Sequence, residues 1–191
     1  MPSNELVVLS HLRWTFVWQR PQHLISRLAA TRRTWFVEEP EVADVPAPRL
    51  RREEHGQVTR VSLQVPGEQR HVNFDDPVAA GYAGEIASLL GPPTAARTLW
   101  LYTPLALSIG EALEPTVVVY DVMDDLASFK DASPHLRERQ RATLDRADVV
   151  FTGGRSLHRG VTALRPTGVH LFPSGVDAEH FAAAPRSPAQ G

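Results

Sequence analysis

The 191-residue chain contains no cysteine. That absence removes disulfides, thiolate zinc sites and cysteine nucleophiles together, and it fits a reducing compartment, so the cytosol is the expected location. Lysine occurs once, at Lys130, against 19 scattered arginines; the skew has the look of coding bias, and the formal net charge is −2. No nucleic-acid footprint follows from that balance. No window approaches the roughly 18 apolar residues of a membrane span, and MPSNELVVLS carries no cationic stretch leading into a long apolar run. Also missing are G-x-G-x-x-G, the GK[ST] ending of a P-loop, and any H-E-x-x-H or H-x-H among the eight histidines. The common phosphate-loop and zinc signatures are therefore withdrawn, and no metal site is expected.

What is present is a series of short apolar runs with helical segments between them. LVVL at 6–9, TWFV at 34–37, VTRVSL at 58–63, TLWLY at 98–102, TVVVY at 116–120, DVVFT at 148–152 and VHLF at 169–172 are strand-sized. Several are nearly continuous in apolar residues, the pattern of strands buried on both faces of a parallel sheet. Asp76-Pro77 opens a helix carrying Val78, Tyr82, Ile86, Leu89 and Leu90 on one face, and Gly91-Pro92-Pro93 ends it. Ser133-Pro134 precedes Leu136, Gln140, Leu144 and Ala147 in the same grammar, and Leu24, Ile25 and Leu28 give the segment after Pro21 an apolar stripe. The alternation predicts one α/β domain, a doubly wound and mainly parallel Rossmann-like sheet with helices on both faces. The Pro-rich, charged stretch 39–57 is expected to be a surface excursion without core, and the Ala/Pro-rich tail 182–191 a disordered linker.

Ligands of such sheets bind beyond the carboxyl ends of the strands. The loop after the first strand, SHLRWTFVWQRPQH at 10–23, places Trp14, Phe16, Trp18, Arg20 and His23 around a helix entry. Free amides there, with the Arg20 fork, suit a phosphate or carboxylate. The competing reading packs the aromatics on the domain and pairs Arg20 with Glu38 or Glu39. YDVMDDLASF at 120–129 sets Asp121, Asp124 and Asp125 within five residues. These carboxylates invite a small metal-dependent hydrolase, or else they orient the loop and cap a helical turn. FTGGRSL at 151–157 offers Gly153, Gly154 and Ser156 between a strand and a helix, with Ser156 placed to cap that helix.

HLFPSGVDAEHF at 170–181 resembles the segment that joins the two domains of retaining, nucleotide-sugar-dependent glycosyltransferases of the GT-B fold, glycosyltransferase family 4 type. RADVVFTGGRSL is similar to the preceding strand and turn of that family, and VWQRPQHL with VVYDVMDDLASF to a bacterial subgroup of it. The resemblance runs from about Leu6 to Phe181. It implies that residues 1–181 form the N-terminal, acceptor-side half of a two-domain enzyme. The C-terminal donor-binding domain would be its partner, absent from this sequence, and the chain alone would be inactive.

By the same resemblance, a nucleoside-diphosphate sugar is the donor, bound mainly by the missing half, with no further cofactor or metal. Trp14, Phe16, Trp18 and Arg20 face the cleft toward a sugar or lipid-linked acceptor, and Gly153, Gly154 and Ser156 form another lip. Tyr120-Asp121 occupies the place of a His-Asp pair near the transferred sugar, so Tyr120 is an expected substrate contact; the His is missing, Asp121 is the one candidate catalytic group, and Asp124 a contact to acceptor hydroxyls. The implied setting is cell-envelope polysaccharide or glycolipid synthesis, cytoplasmic or at the inner face of the membrane. A stand-alone Rossmann-like binding module without catalysis is the competing class.

Overall fold

Each apolar run forms a strand of one sheet: β1 Glu5–Ser10, β2 Arg33–Glu38, β5 Val58–Val65, β6 Arg97–Leu101, β7 Val117–Val122, β8 Val149–Thr152 and β9 Val169–Leu171. Two further strands, β3 Glu41–Val42 and β4 Arg49–His55, lie between β2 and β5. The structure, a computed structural model, describes residues 4–93, 96–126 and 135–175. The segment Val176–Phe181, the tail after it and the Ser133-Pro134 cap lie outside the described residues.

The sheet runs β3-β5-β2-β1-β6-β7-β8-β9, with β4 paired to β5. Its register is parallel throughout except at β4, which lies antiparallel along β5 from His55↔Val58 to Arg49↔Gln64. The fold is thus the expected α/β, Rossmann-like sheet, mainly parallel, with helices on both faces. Stretch 39–57 departs from the expectation of a coreless excursion. Glu41 and Val42 pair with Gln64 and Val65, and Val45 is buried. The strand β4 escapes an apolar-pattern reading because its sequence, RLRREEH, is an edge strand held by charge. Arg51 bonds Glu53 and Arg52 bonds Glu54 along it, while Arg60 reaches Glu53 from β5. A charged edge of this kind also discourages pairing with other chains.

The helices are α1 Arg20–Ala29, α2 Tyr82–Leu90, α3 Leu107–Glu111, α4 Leu136–Arg146 and α5 Arg155–Leu164. Asp76 caps Pro77 as expected, its side chain accepting from the Val78 amide at 3.1 Å. That turn is a short 3-10 helix, Pro77–Ala79, and α2 restarts at Tyr82. The break rotates Val78 into solvent and puts Ala79 in the core instead. Gly91 ends α2 at φ 71°, a conformation that costs a side chain-bearing residue about 1–2 kcal/mol. In α4, Leu136 and Leu144 are buried together with Thr143, whose hydroxyl donates back to Arg139 O at 2.8 Å.

Strand alternation divides the core in two. Leu9, Trp35, Leu63, Leu101, Tyr120 and Val150 face α2 to α5. Leu6, Val8, Phe36, Trp100 and Val119 face the other side, where α1 contributes Ile25 and Ala29. Each fully buried aliphatic side chain contributes about 1.5–3 kcal/mol of transfer free energy, so both layers are needed for stability.

Candidate functional site at the carboxyl ends of the strands

Because the sheet is parallel, the loops leaving β1, β2, β6, β7, β8 and β9 gather on one edge. The first opens when Ser10 Oγ accepts from the Leu12 amide at 3.0 Å, turning the chain out of β1. Glu38, at the end of β2 and fully buried, fixes the middle of this loop. It accepts the Trp14 amide at 2.7 Å and both arms of Arg60, at 2.8 and 2.9 Å, while Arg13 reaches it at 3.3 Å. Gln22, buried in the first turn of α1, donates to Arg13 O at 3.1 Å and accepts the Gln19 amide at 3.0 Å. A buried carboxylate is stable only when paired in this way.

This scaffold separates the four aromatic and basic residues expected to face a ligand. Trp14 is a core residue, 6% exposed, with its ring 4.9 Å from Phe36. The expectation of Trp14 as an open platform is corrected accordingly; the Glu38 bond pulls its backbone onto the sheet. Phe16 and Trp18 stand in solvent, 68% and 58% exposed, with Val17 exposed between them. Arg20, the first residue of α1, turns back over the sheet: Nε donates to Asp121 Oδ2 at 3.0 Å, and a terminal nitrogen to Phe172 O at 2.6 Å. Its carboxylate partner is thus Asp121, and Glu38 belongs to Arg13 and Arg60.

On β7, Tyr120 and Asp121 point to opposite faces. Tyr120 lies in the layer under α4, and burial pushes its phenol far above its ordinary range. Its expected part in substrate binding is therefore corrected: the pleat turns it away from the edge. Asp121 is fully buried on the α1 side. Burial raises its carboxyl, and the Arg20 guanidinium opposes that rise. The Trp100 indole N–H and the Tyr102 hydroxyl lie beside this carboxylate and also oppose the rise. Asp124 and Asp125 are exposed in the loop beyond. Among the described residues no group of three His, Asp or Glu side chains converges to hold a metal ion, so the three-carboxylate hydrolase site does not assemble.

The turn after β8 is fixed by the backbone: the Gly153 amide donates to Val122 O at 2.9 Å and its carbonyl accepts Ser174 N at 3.3 Å. Gly154, extended, is the residue that caps α5, so Ser156 sits inside the first turn, exposed, in place of the capping role expected of it. Two histidines missed by sequence reasoning complete the edge. His11 is largely buried and its imidazole is held below the ordinary value by burial, against the charges of Glu39 and Asp124. His71 is raised by its 3.0 Å bond to Glu39. No motif marks either one; only the topology brings residues 11, 39, 71 and 124 together.

The edge thus presents exposed aromatics on the β1 loop, the Arg20–Asp121 pair, the β8 turn with the α5 N-terminus, and a His–Glu pair at the end of β2. Such a surface can bind hydroxyl-rich or anionic small molecules, and it is open on its outer side.

The architecture defined by this sheet is an α/β, Rossmann-like half of a GT-B fold. Among solved structures, the chain is similar to the E. coli trehalose-6-phosphate structure bound with UDP-2-fluoro glucose, at 14% identity and TM-score 0.62, covering 96% of this chain and 52% of that one. It is similar also to the sucrose-phosphate synthase of Thermosynechococcus elongatus, at 10% identity and TM-score 0.61, covering 89% and 48%. A UDP-forming α,α-trehalose-phosphate synthase from Burkholderia xenovorans matches at 15% identity and TM-score 0.58, covering 97% and 52%. The chain spans about half the length of these structures. No protein-family model and no curated protein matches it. No helix among the described residues is long and apolar enough to cross a membrane.

Proposed function

We propose that this chain is the acceptor-side half of a glycosyltransferase that moves a sugar from a nucleoside-diphosphate sugar to an acceptor with retention of configuration. The resemblance of its motifs to glycosyltransferase family 4, in the bacterial subgroup that works on cell-envelope polysaccharides or glycolipids at the cytoplasmic side, supports the same reading. The observation that carries it is the buried Arg20–Asp121 pair at the carboxyl ends of the strands, with Phe16 and Trp18 exposed on the loop that leads into the same helix. A comparable half-length of fold occurs in a neighbour bound to UDP-2-fluoro glucose. Aromatic faces are platforms for the apolar faces of sugar rings, and carboxyl-edge loops are where open α/β sheets place ligands.

In this reading Asp121 positions Arg20, and Arg20 with the α5 N-terminus faces the anionic part of the reaction. Trp18 and Phe16 hold the acceptor, with Asp124 and the Gly153-Gly154 turn at its rim. The leaving diphosphate is stabilised by donors fixed before the reaction begins, chiefly those of the opposite half. Isothermal titration of the chain with UDP-glucose tests this division of labour. The expected result is no binding in the micromolar range; micromolar binding by this chain alone would mean that it carries the donor site itself.

A further inference from the structure

The β1 loop meets an element that the acceptor reading leaves unused, the hairpin between β4 and β5. Its register, His55↔Val58, leaves Gly56-Gln57 as a two-residue turn, and Gly56 at φ 63° takes the conformation such a turn requires. Trp14, Trp18 and Ser26 come up against this turn and border with it a hollow of about 510 Å³, within the roughly 300–1,000 Å³ of small-molecule sites. The hollow lies on the β5 side of α1. Arg20, Leu24 and Arg27 form a different stripe of that helix and gather with Trp100 of β6 and Phe151 of β8 instead.

One charge network ties the two walls of the hollow together. Glu38 accepts the Trp14 amide and both arms of Arg60, Arg60 also donates to Glu53 Oε2 at 2.5 Å, and His55 Nε2 stands 4.0 Å from that same oxygen. Trp18 is solvent-facing, yet its ring is flanked by two others, 6.3 Å from Trp14 and edge-on to His23 at 5.3 Å. An indole already held in place loses little freedom when a ligand covers it. The floor of the hollow is apolar, made by the buried Trp14 and Val58. Its rim carries the Ser26 hydroxyl, the Gln57 amide and the His55 imidazole. Ser26 Oγ donates to His23 O at 3.3 Å, which leaves its lone pairs to accept, and His55 Nε2 has no hydrogen-bond partner among the described residues. No Asp, Glu, Lys or Arg lines the hollow.

We propose that this hollow is a saccharide subsite, holding a neutral sugar ring against Trp18 with Gln57, His55 and Ser26 on its hydroxyls. The lining selects that chemistry. A phosphate or carboxylate finds no cation here, in contrast to the Arg20 side of the helix. A hydrocarbon covers the amide, imidazole and hydroxyl without pairing them. A sugar ring satisfies both requirements, since its C–H face suits an aromatic platform and its hydroxyls donate and accept in turn. The proposal stands on this lining and not on the transferase reading; Trp18 is the one residue that the two share.

Two-dimensional NMR of the 15N-labelled 191-residue chain tests it, with maltotriose and cellotriose as ligands and inorganic phosphate and benzyl alcohol as controls. At least one trisaccharide should shift the Trp18 indole N–H, the Gln57 side-chain amide and the His55 ring nitrogens along a single saturation curve. Gln57→Ala, at an exposed turn position where folding is retained, should weaken that binding about twofold to tenfold, the worth of one hydrogen bond. Trp18→Ala should weaken it by about tenfold or more. Binding of neither trisaccharide, or binding that ignores both substitutions, overturns the proposal. So does saturation by benzyl alcohol alone or by phosphate alone, which would make the hollow an apolar slot or an anion site. A trisaccharide that moves Gly153 to Ser156 while Gln57 and His55 stay still overturns the subsite and agrees with the acceptor reading. Micromolar binding of UDP-glucose, which would overturn that reading, leaves shifts at Gln57 and His55 standing.

Discussion

Arg20 Nε donates to Asp121 Oδ2 at 3.0 Å, joining the first turn of α1 to the end of β7 across 101 positions of sequence. The same guanidinium holds Phe172 O, so one side chain ties together three of the loops that form the edge. Because Asp121 is fully buried and Arg20 only 12% exposed in its side chain, the pair is shielded from solvent. Removing the cation alone strands a buried carboxylate, and Arg20→Met should cost about 3 kcal/mol by urea unfolding. Combining it with Asp121→Leu should recover most of that loss. A double variant no more stable than the single one would show that the pair is not coupled.

The β1 loop divides into a structural and a working half. Trp14→Ala should destabilise by about 3–5 kcal/mol, the range for removing a buried aromatic ring. Trp18→Ala and Phe16→Ala, at solvent-facing positions, should stay within about 0.5 kcal/mol. Thermal unfolding of the three variants checks this. Equal losses at Trp14 and Trp18 would mean that the loop packs otherwise.

Glu38 concentrates the charge network under the same loop. Glu38→Gln keeps the shape but removes the charge that faces Arg60 and Arg13, and should cost about 3 kcal/mol while loosening the loop. Faster hydrogen exchange at the Trp14 amide, which Glu38 accepts, is the local readout.

The two edge histidines titrate on opposite sides of the ordinary value of 6.5. For His71, bonding to Glu39 raises the folded-state value, so its contribution is present below the ordinary value and is lost as pH rises through the raised one. For His11, burial lowers the folded-state value, so stability declines as pH falls through the ordinary range and the unfolded state takes up the proton more readily. His71 is exposed in its side chain, which keeps its effect small through solvent screening. Proton NMR should place His71 above and His11 below a free histidine, and Glu39→Gln should bring His71 back. Coincident midpoints would contradict the assignment.

The strands were legible in the sequence because those of a parallel sheet are nearly continuous in apolar residues; all seven runs form strands. β4 was not, since an edge strand carrying Arg and Glu has no apolar alternation to detect. The break after Asp76-Pro77 was also hidden, because a 3-10 turn and the start of an α-helix share the same capping residues. At the site, the loops were found but not the roles within them. The pleat of β7 sends Tyr120 and Asp121 apart, which two adjacent letters do not announce. Trp14 looks like Trp18 until Glu38 is seen to draw its backbone inward. Arg20 finds Asp121, and His11 finds Asp124, only through the order in which the strands are laid side by side.

The most direct measurement is a 15N-resolved NMR titration of the chain with methyl α-glucoside, glucose 6-phosphate and UDP-glucose. The account predicts that the sugar ligands shift the Trp18 indole, the Arg20 Nε–H and the amides of Gly153 to Ser156 together, with UDP-glucose adding no tighter interaction of its own. Shifts centred on the amino-terminal edge near Arg97, Val117 and Gly168, or micromolar saturation by UDP-glucose alone, would contradict it.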